Sequence, residues 1–163
     1  MAAVRFSDLP DDARVWVFAA SDTLTGEKSA SLLEAVDSHL NQWAAHGFPL
    51  TCARDWRDDH FLAIGVDQRD AHASGCSIDG LFRTLQKLEL ALGTKLVGAG
   101  RVFYRAERGD VVCLSRADFT VQAARGAIAA DTPVFDTSVT TAGEYRERFE
   151  QPAKETWHAA LLG

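Results

Sequence analysis

The reading of Phe48 to Val66, FPLTCARDWRDDHFLAIGV, decides the fold. Phe48 to Trp56 alternates loosely between apolar and polar residues, the pattern of a half-buried strand. Phe61 to Val66 (FLAIGV) is a short apolar run of strand length, rich in residues that favour sheets. Arg57-Asp58-Asp59 between them is turn chemistry. The stretch therefore predicts a β-hairpin.

Helical patterns flank the hairpin. On its N-terminal side, residues 25–46 place Leu32, Leu33, Val36, Leu40 and Trp43 on one apolar stripe. Thr25 is the expected cap, Glu27 sits in the favourable first turn, and Gly47 is the stop. Before that helix, Arg14 to Ser21 (RVWVFAAS) reads as a strand, preceded by a polar arm over residues 1–13 that ends at Pro10-Asp11-Asp12. On the C-terminal side, a polar loop over 67–75 leads to a second helix over 77–92. Its buried face is Ile78, Leu81, Phe82, Leu85, Leu88 and Leu92, and Gly93 ends it. Arg101–Arg105 (RVFYR) and Val111–Leu114 (VVCL) form a second expected hairpin.

Through residue 105 the order is β-α-β-β-α-β. The expected class is α+β, with a ferredoxin-like antiparallel sheet of four strands and two helices on one face. Residues 1–105 make that domain with its N-terminal arm. Residues 106–163 form a small C-terminal hairpin and helix extension packing on the same core. In the extension, Ser115-Arg-Ala-Asp118 and Thr141-Ala-Gly-Glu144 are capping patterns for two helices. Pro133-Val134-Phe135 is a short extended segment, and Pro152 breaks the last helix.

Composition narrows the function classes. A chain of 163 residues, 47% hydrophobic and 25% charged, fits one globular core. Its net charge of −6 disfavours nucleic acid and anionic membranes as partners, since both call for a basic face. Arg101, Arg105 and Arg108 cluster, but Glu107 and Asp110 dilute them into a solvated hairpin. The cysteines are Cys52, Cys76 and Cys113. Their odd number and wide spacing argue against a disulfide framework and against zinc. Free thiols fit a reducing, cytoplasmic compartment. The N-terminus lacks the charged and apolar regions of a signal peptide, and the apolar runs are too short to span a membrane. No cofactor or metal is expected.

Ala73-Ser-Gly-Cys-Ser-Ile-Asp79, Trp43-x-x-His46-Gly, Thr132-Pro-Val-Phe-Asp136 and Trp157-His158 resemble a bacterial family without an assigned activity. Its members are often labelled "ABC transporter ATPase", and the resemblance covers nearly the whole chain. The ATPase label does not fit these residues. A phosphate-binding loop needs G-x-x-x-x-G-K-[ST], so that main-chain N–H groups cradle the phosphates and the lysine reaches them. Gly93-Thr94-Lys95 has neither that order nor that spacing.

Cys76 is the candidate catalytic thiol. It follows Gly75, just ahead of the expected first turn of the second helix, where partial positive charge and unpaired N–H groups favour a thiolate. Ser77 can cap that helix or hydrogen-bond the sulfur. Ser74 and Gly75 complete the approach, Asp79 opposes thiolate formation, and His60 and His72 are candidate bases. The alternative is a small cysteine tucked beneath the loop. Arg54 to His60 is a second charged cluster, either an acid–base or metal site at a hairpin tip or a solvated turn with one half-buried Trp. Trp157 and His158 form either an interface anchor or a plug that docks the C-terminus. Tyr104 is placed to face a ligand.

The expected function is a non-enzymatic binding or adaptor domain for a peptide, a partner subunit or a small ligand. The other reading is a thiol-dependent protein using Cys76. A homo-oligomer formed through an open sheet edge is compatible with either.

Overall fold

The computed structural model describes residues 4–163; residues 1–3 of the expected arm lie outside the described residues. In chain order the elements are β1 (Arg14–Ala19), α1 (Gly26–Gln42), β2 (Ala44–Ala45), β3 (Phe48–Pro49), β4 (Thr51–Arg57), β5 (Phe61–Asp67) and α2 (Gly75–Leu92). They continue as β6 (Arg101–Arg105), β7 (Val111–Ser115), α3 (Arg116–Ala124), β8 (Pro133–Phe135), α4 (Ala142–Arg148) and β9 (Glu150–Pro152). Two short 3-10 helices, Ala153–Glu155 and Trp157–Leu161, close the chain.

The deciding hairpin is β4–β5. Asp58 and Asp59 adopt positive φ of 55° and 54°, the pair of left-handed residues that a tight primed turn requires. Two strands that twist normally can then meet directly. β5 runs between β4 and β1 in a three-stranded antiparallel sheet of order β1-β5-β4. All seven residues of β5 are buried, so both faces of this sheet are covered.

The register sorts the side chains. Phe18, Leu62, Ile64 and Val66 face the helices, where Leu32, Val36, Leu40, Leu81 and Leu85 complete the first core. Val15, Ala19, Phe61 and Ala63 face the opposite way. They meet Phe103, Phe135, Tyr145 and Phe149 in a second core. Phe61 is its hub, with ring centroids 5.3 Å from Phe103, 4.6 Å from Phe135 and 5.0 Å from Phe149. These are contact distances for aromatic pairs.

The expected four-stranded sheet is corrected here. Arg101–Arg105 does not pair with β1. It forms the centre of a second antiparallel sheet, order β7-β6-β8-β9, which packs on the far face of the first. The reason is that RVFYR has an apolar residue on each face. Phe103 enters the inter-sheet core, while Val102 joins Phe119, Ile128, Val134 and Ala153 in a third core on the outer side. Tyr104 packs edge-on to Phe119, ring centroids 6.0 Å apart, so it lines that outer core as a partly buried side chain. The layers run helices, sheet, sheet, then α3 with the C-terminal 3-10 turns.

Two boundaries also shift. The first helix stops at Gln42, because Trp43 leaves the helical conformation and donates its indole Nε1–H to the Ser77 carbonyl at 2.7 Å. His46 and Gly47, both at positive φ, then turn a small β2–β3 hairpin, so the strand expected over 48–56 is interrupted at Leu50. The second helix begins at Gly75 with Ser74 as its cap. Both capping patterns of the extension form, with Ser115 accepting from the Asp118 N–H at 3.0 Å and Thr141 from the Glu144 N–H at 3.2 Å. Among the described residues no helix is long and apolar enough to cross a membrane.

Candidate functional site

A cavity of about 630 Å³ runs along the outer edge of β1. The β1–β5 register and the Ala20 N–H donating to the His60 carbonyl at 2.7 Å fix which main-chain groups point where. In an antiparallel ladder the direction alternates residue by residue. Trp16 and Phe18 pair with β5; Val15, Val17 and Ala19 present their main-chain groups to the cavity. At one end the Val15 N–H donates to the Thr140 carbonyl at 2.8 Å. At the other, Arg101 Nη1 donates to the Ala19 carbonyl at 3.1 Å. Between them, Val17 has no partner for its N–H or C=O on this side among the described residues.

The cavity walls come from several elements. Phe82 of α2 and Leu96–Arg101 stand on the helical side, while Phe103 and Thr137–Thr140 stand on the side of the second sheet. Arg101 and Arg116 are the only charged residues in the lining. Neither forms an ion pair among the described residues, although Arg54, Arg57, Arg105 and Arg146 all do. The Arg116 guanidinium lies 4.9 Å from the centroid of Trp157, a cation–π distance. Trp157 is itself 37% exposed at the mouth. The charges around Arg101 in the sequence predict a solvated hairpin. The alternation of RVFYR already places Arg101 on the same side as the buried Phe103, and that signal points to the cavity.

Cys76 lies elsewhere. It is the second residue of α2 and is exposed, so it sits inside the first turn rather than ahead of it. Ser74 is the N-cap of this helix and Ser77 completes the cap from the third position. Ser77 Oγ accepts the Ser74 N–H at 2.7 Å while Ser74 Oγ accepts the Ser77 N–H at 3.1 Å, a reciprocal capping box. A cleft of about 530 Å³ joins Cys76 to His39, Trp43 and Thr84. His39 Nδ1 hydrogen-bonds Thr84 Oγ1 at 3.2 Å, and its Nε2 is buried without a partner. Burial lowers the pKa of this imidazole. Sequence reasoning missed His39, although its place three residues after Val36 and seven after Leu32 puts it beside the apolar stripe.

The expected bases are not in this cleft. His72 is exposed beside a separate shallow pocket with His46 and Phe48. His60 is buried at the β4–β5 turn, with Nδ1 3.0 Å from the Asp58 carbonyl. Asp79 is exposed on α2. Arg54 pairs with Asp37 at 2.8 Å, far along β4 from the turn. The rest of the charged cluster is tied down: Tyr145 donates to Asp55 at 2.8 Å, and Asp58 and Glu150 bind Arg57 and Arg105. The Glu150 carboxylate raises the Arg105 pKa, burial works against it and Asp58 adds to the rise, so the guanidinium stays charged. His158 is wholly buried, stacks on Trp157 at 3.9 Å, and hydrogen-bonds Thr156 Oγ1 through Nδ1 at 2.8 Å. It plugs the C-terminus into the outer core, while Trp157 beside it reaches the β1 cavity.

No family of proteins, no curated protein and no solved structure matches this chain.

Proposed function

We propose that this chain is a non-catalytic binding domain that takes its ligand in the cavity along the β1 edge. One observation carries the reading: a cavity of about 630 Å³, within the range of ligand sites, is walled by apolar side chains around unpaired main-chain groups and two arginines that form no ion pair among the described residues. We read β1, α1, β4, β5 and α2 as a ferredoxin-like unit whose fourth-strand position is left open, because β6 is committed to the second sheet. The three free thiols suit a cytoplasmic setting, and the partner on this reading is a protein segment or small molecule rather than nucleic acid.

The test is a fragment screen by amide NMR on the whole chain. Fragments that shift the amides of Val17, Ala19, Gly98 and Thr137 together support the reading. A screen whose shifts fall only outside these residues, or that yields none, overturns it.

A thiol function for Cys76 is the second reading. It is favoured by the sulfur's exposure and by the cleft it shares with His39, whose Nε2 lacks a partner.

A further inference from the structure

Resting on the cavity reading above, we propose that the occupant is an extended, acidic peptide segment of another protein, which adds to β1 as a fourth strand of the first sheet. Strand addition is driven by main-chain pairing and made selective by pockets for alternate side chains. The β1 edge meets both needs. Val17 offers an unused donor and acceptor in mid-strand, and an unpaired edge is a template for another strand. The Val15 N–H and the Ala19 C=O are already engaged, so the open stretch runs from the Val15 C=O to the Ala19 N–H and takes about three residues at roughly 3.3 Å each.

The walls define the side chains. An incoming strand sends alternate residues to opposite faces. On one face they meet Phe82, Leu96 and Val97; on the other, Phe103 and Val139. Both environments are apolar, so the central residues of the ligand are apolar. The charge lies at the margins. Arg101 sits at the Ala19 end, where the Glu89 carboxylate is close enough to feel its charge, and Arg116 lies over Trp157 at the mouth; no acidic residue lines the cavity itself. On a chain of net charge −6, this local excess of cations complements carboxylates flanking an apolar centre.

The experiment uses the full chain and a set of capped seven-residue peptides. The parent has three central valines with two glutamates on each side. A second peptide carries lysine in place of every glutamate. Two more carry a single N-methyl group, one on the central amide and one on its neighbour. Binding is read by calorimetry and by amide NMR.

The glutamate peptide is expected to bind at least about tenfold more tightly than the lysine peptide, with affinity falling as salt rises. One N-methyl peptide loses binding and the other keeps it, because only alternate amides face β1. The Val17 amide becomes protected from exchange. Arg116→Gln, a substitution at an exposed side chain, weakens binding with an unchanged melting midpoint.

Equal affinity for the lysine peptide, or indifference to both N-methyl groups, overturns the proposal. If the peptides fail while fragments still shift Val17 and Ala19, the peptide inference falls and the cavity reading stands. If both fail, both fall. A concentration-dependent dimer that protects the Val17 amide without any peptide assigns the edge to a second copy of the chain and also overturns the proposal.

Discussion

Leu9 lays its side chain over Gly65, in the space that a β-carbon at position 65 would occupy, and the Phe6 ring stands 3.2 Å from the same point. Gly65 lies in β5, the strand buried on both faces. A glycine inside a strand marks close approach by a neighbour, and here the neighbour is the segment leading into β1. Gly65→Ala is therefore expected to cost about 1–3 kcal/mol through overpacking. Urea unfolding checks this as a lower midpoint with an unchanged slope. Leu9→Ala in the same chain should return part of the loss, and strict additivity of the two substitutions would show that this contact is not the cause.

His158 makes stability depend on pH. Burial pushes its imidazole down to about 4, whereas an unfolded histidine titrates near about 6.5. Above the unfolded value both states are neutral and the residue contributes no slope. As pH falls from there toward 4, the unfolded chain takes up a proton that the folded chain refuses, so stability drops. Below 4 the loss levels off, at a size on the order of 3 kcal/mol. His39 is lowered by burial in the same direction. Chemical denaturation across pH 4–7 should show the slope, and His158→Asn, which keeps an amide near the Nδ1 position, should remove most of it. A wild-type profile that is flat over this window would contradict the account.

The three thiols should separate by reactivity. Cys52 is buried, donates to the Leu40 carbonyl at 3.5 Å, and is pushed up to about 11 by burial. Cys113 is half-buried and raised for the same reason. Cys76 is exposed. Brief iodoacetamide treatment of the folded chain is expected to give one adduct, at Cys76, by peptide mass mapping. For the thiol reading the rate decides: if Cys76 reacts no faster than a small free thiol at the same pH, that function is withdrawn. Loss of the enhanced rate in His39→Ala, with the fold intact, would assign His39 as its positioning residue.

What was legible in the sequence was local. The Asp58-Asp59 turn, the stripe of Leu32, Val36 and Leu40, the stop at Gly93 and the caps at Ser115 and Thr141 each depend on residues within about one or two turns of each other. Period and capping chemistry therefore reported them directly. A cysteine near a helix start was legible too, but its exposure was not, because a buried place beneath the loop fitted the same residues. Its neighbours were not, since His39 and Thr84 come to it from sequence distances that no spacing rule reaches.

The sequence by itself determined where the main strands and helices lie and which of their faces are apolar, because those properties follow from short-range periodicity; the short β2, β3 and β9 segments were not among them. Only the tertiary structure decided that Arg101–Arg105 joins a second sheet and leaves the outer edge of β1 open. RVFYR is apolar on both sides, so its pattern satisfies either sheet equally. The choice was made by distant partners: Phe61, Phe135 and Phe149 bury Phe103 between the sheets, and β7 and β8 take up the main-chain bonds that β1 would otherwise have received.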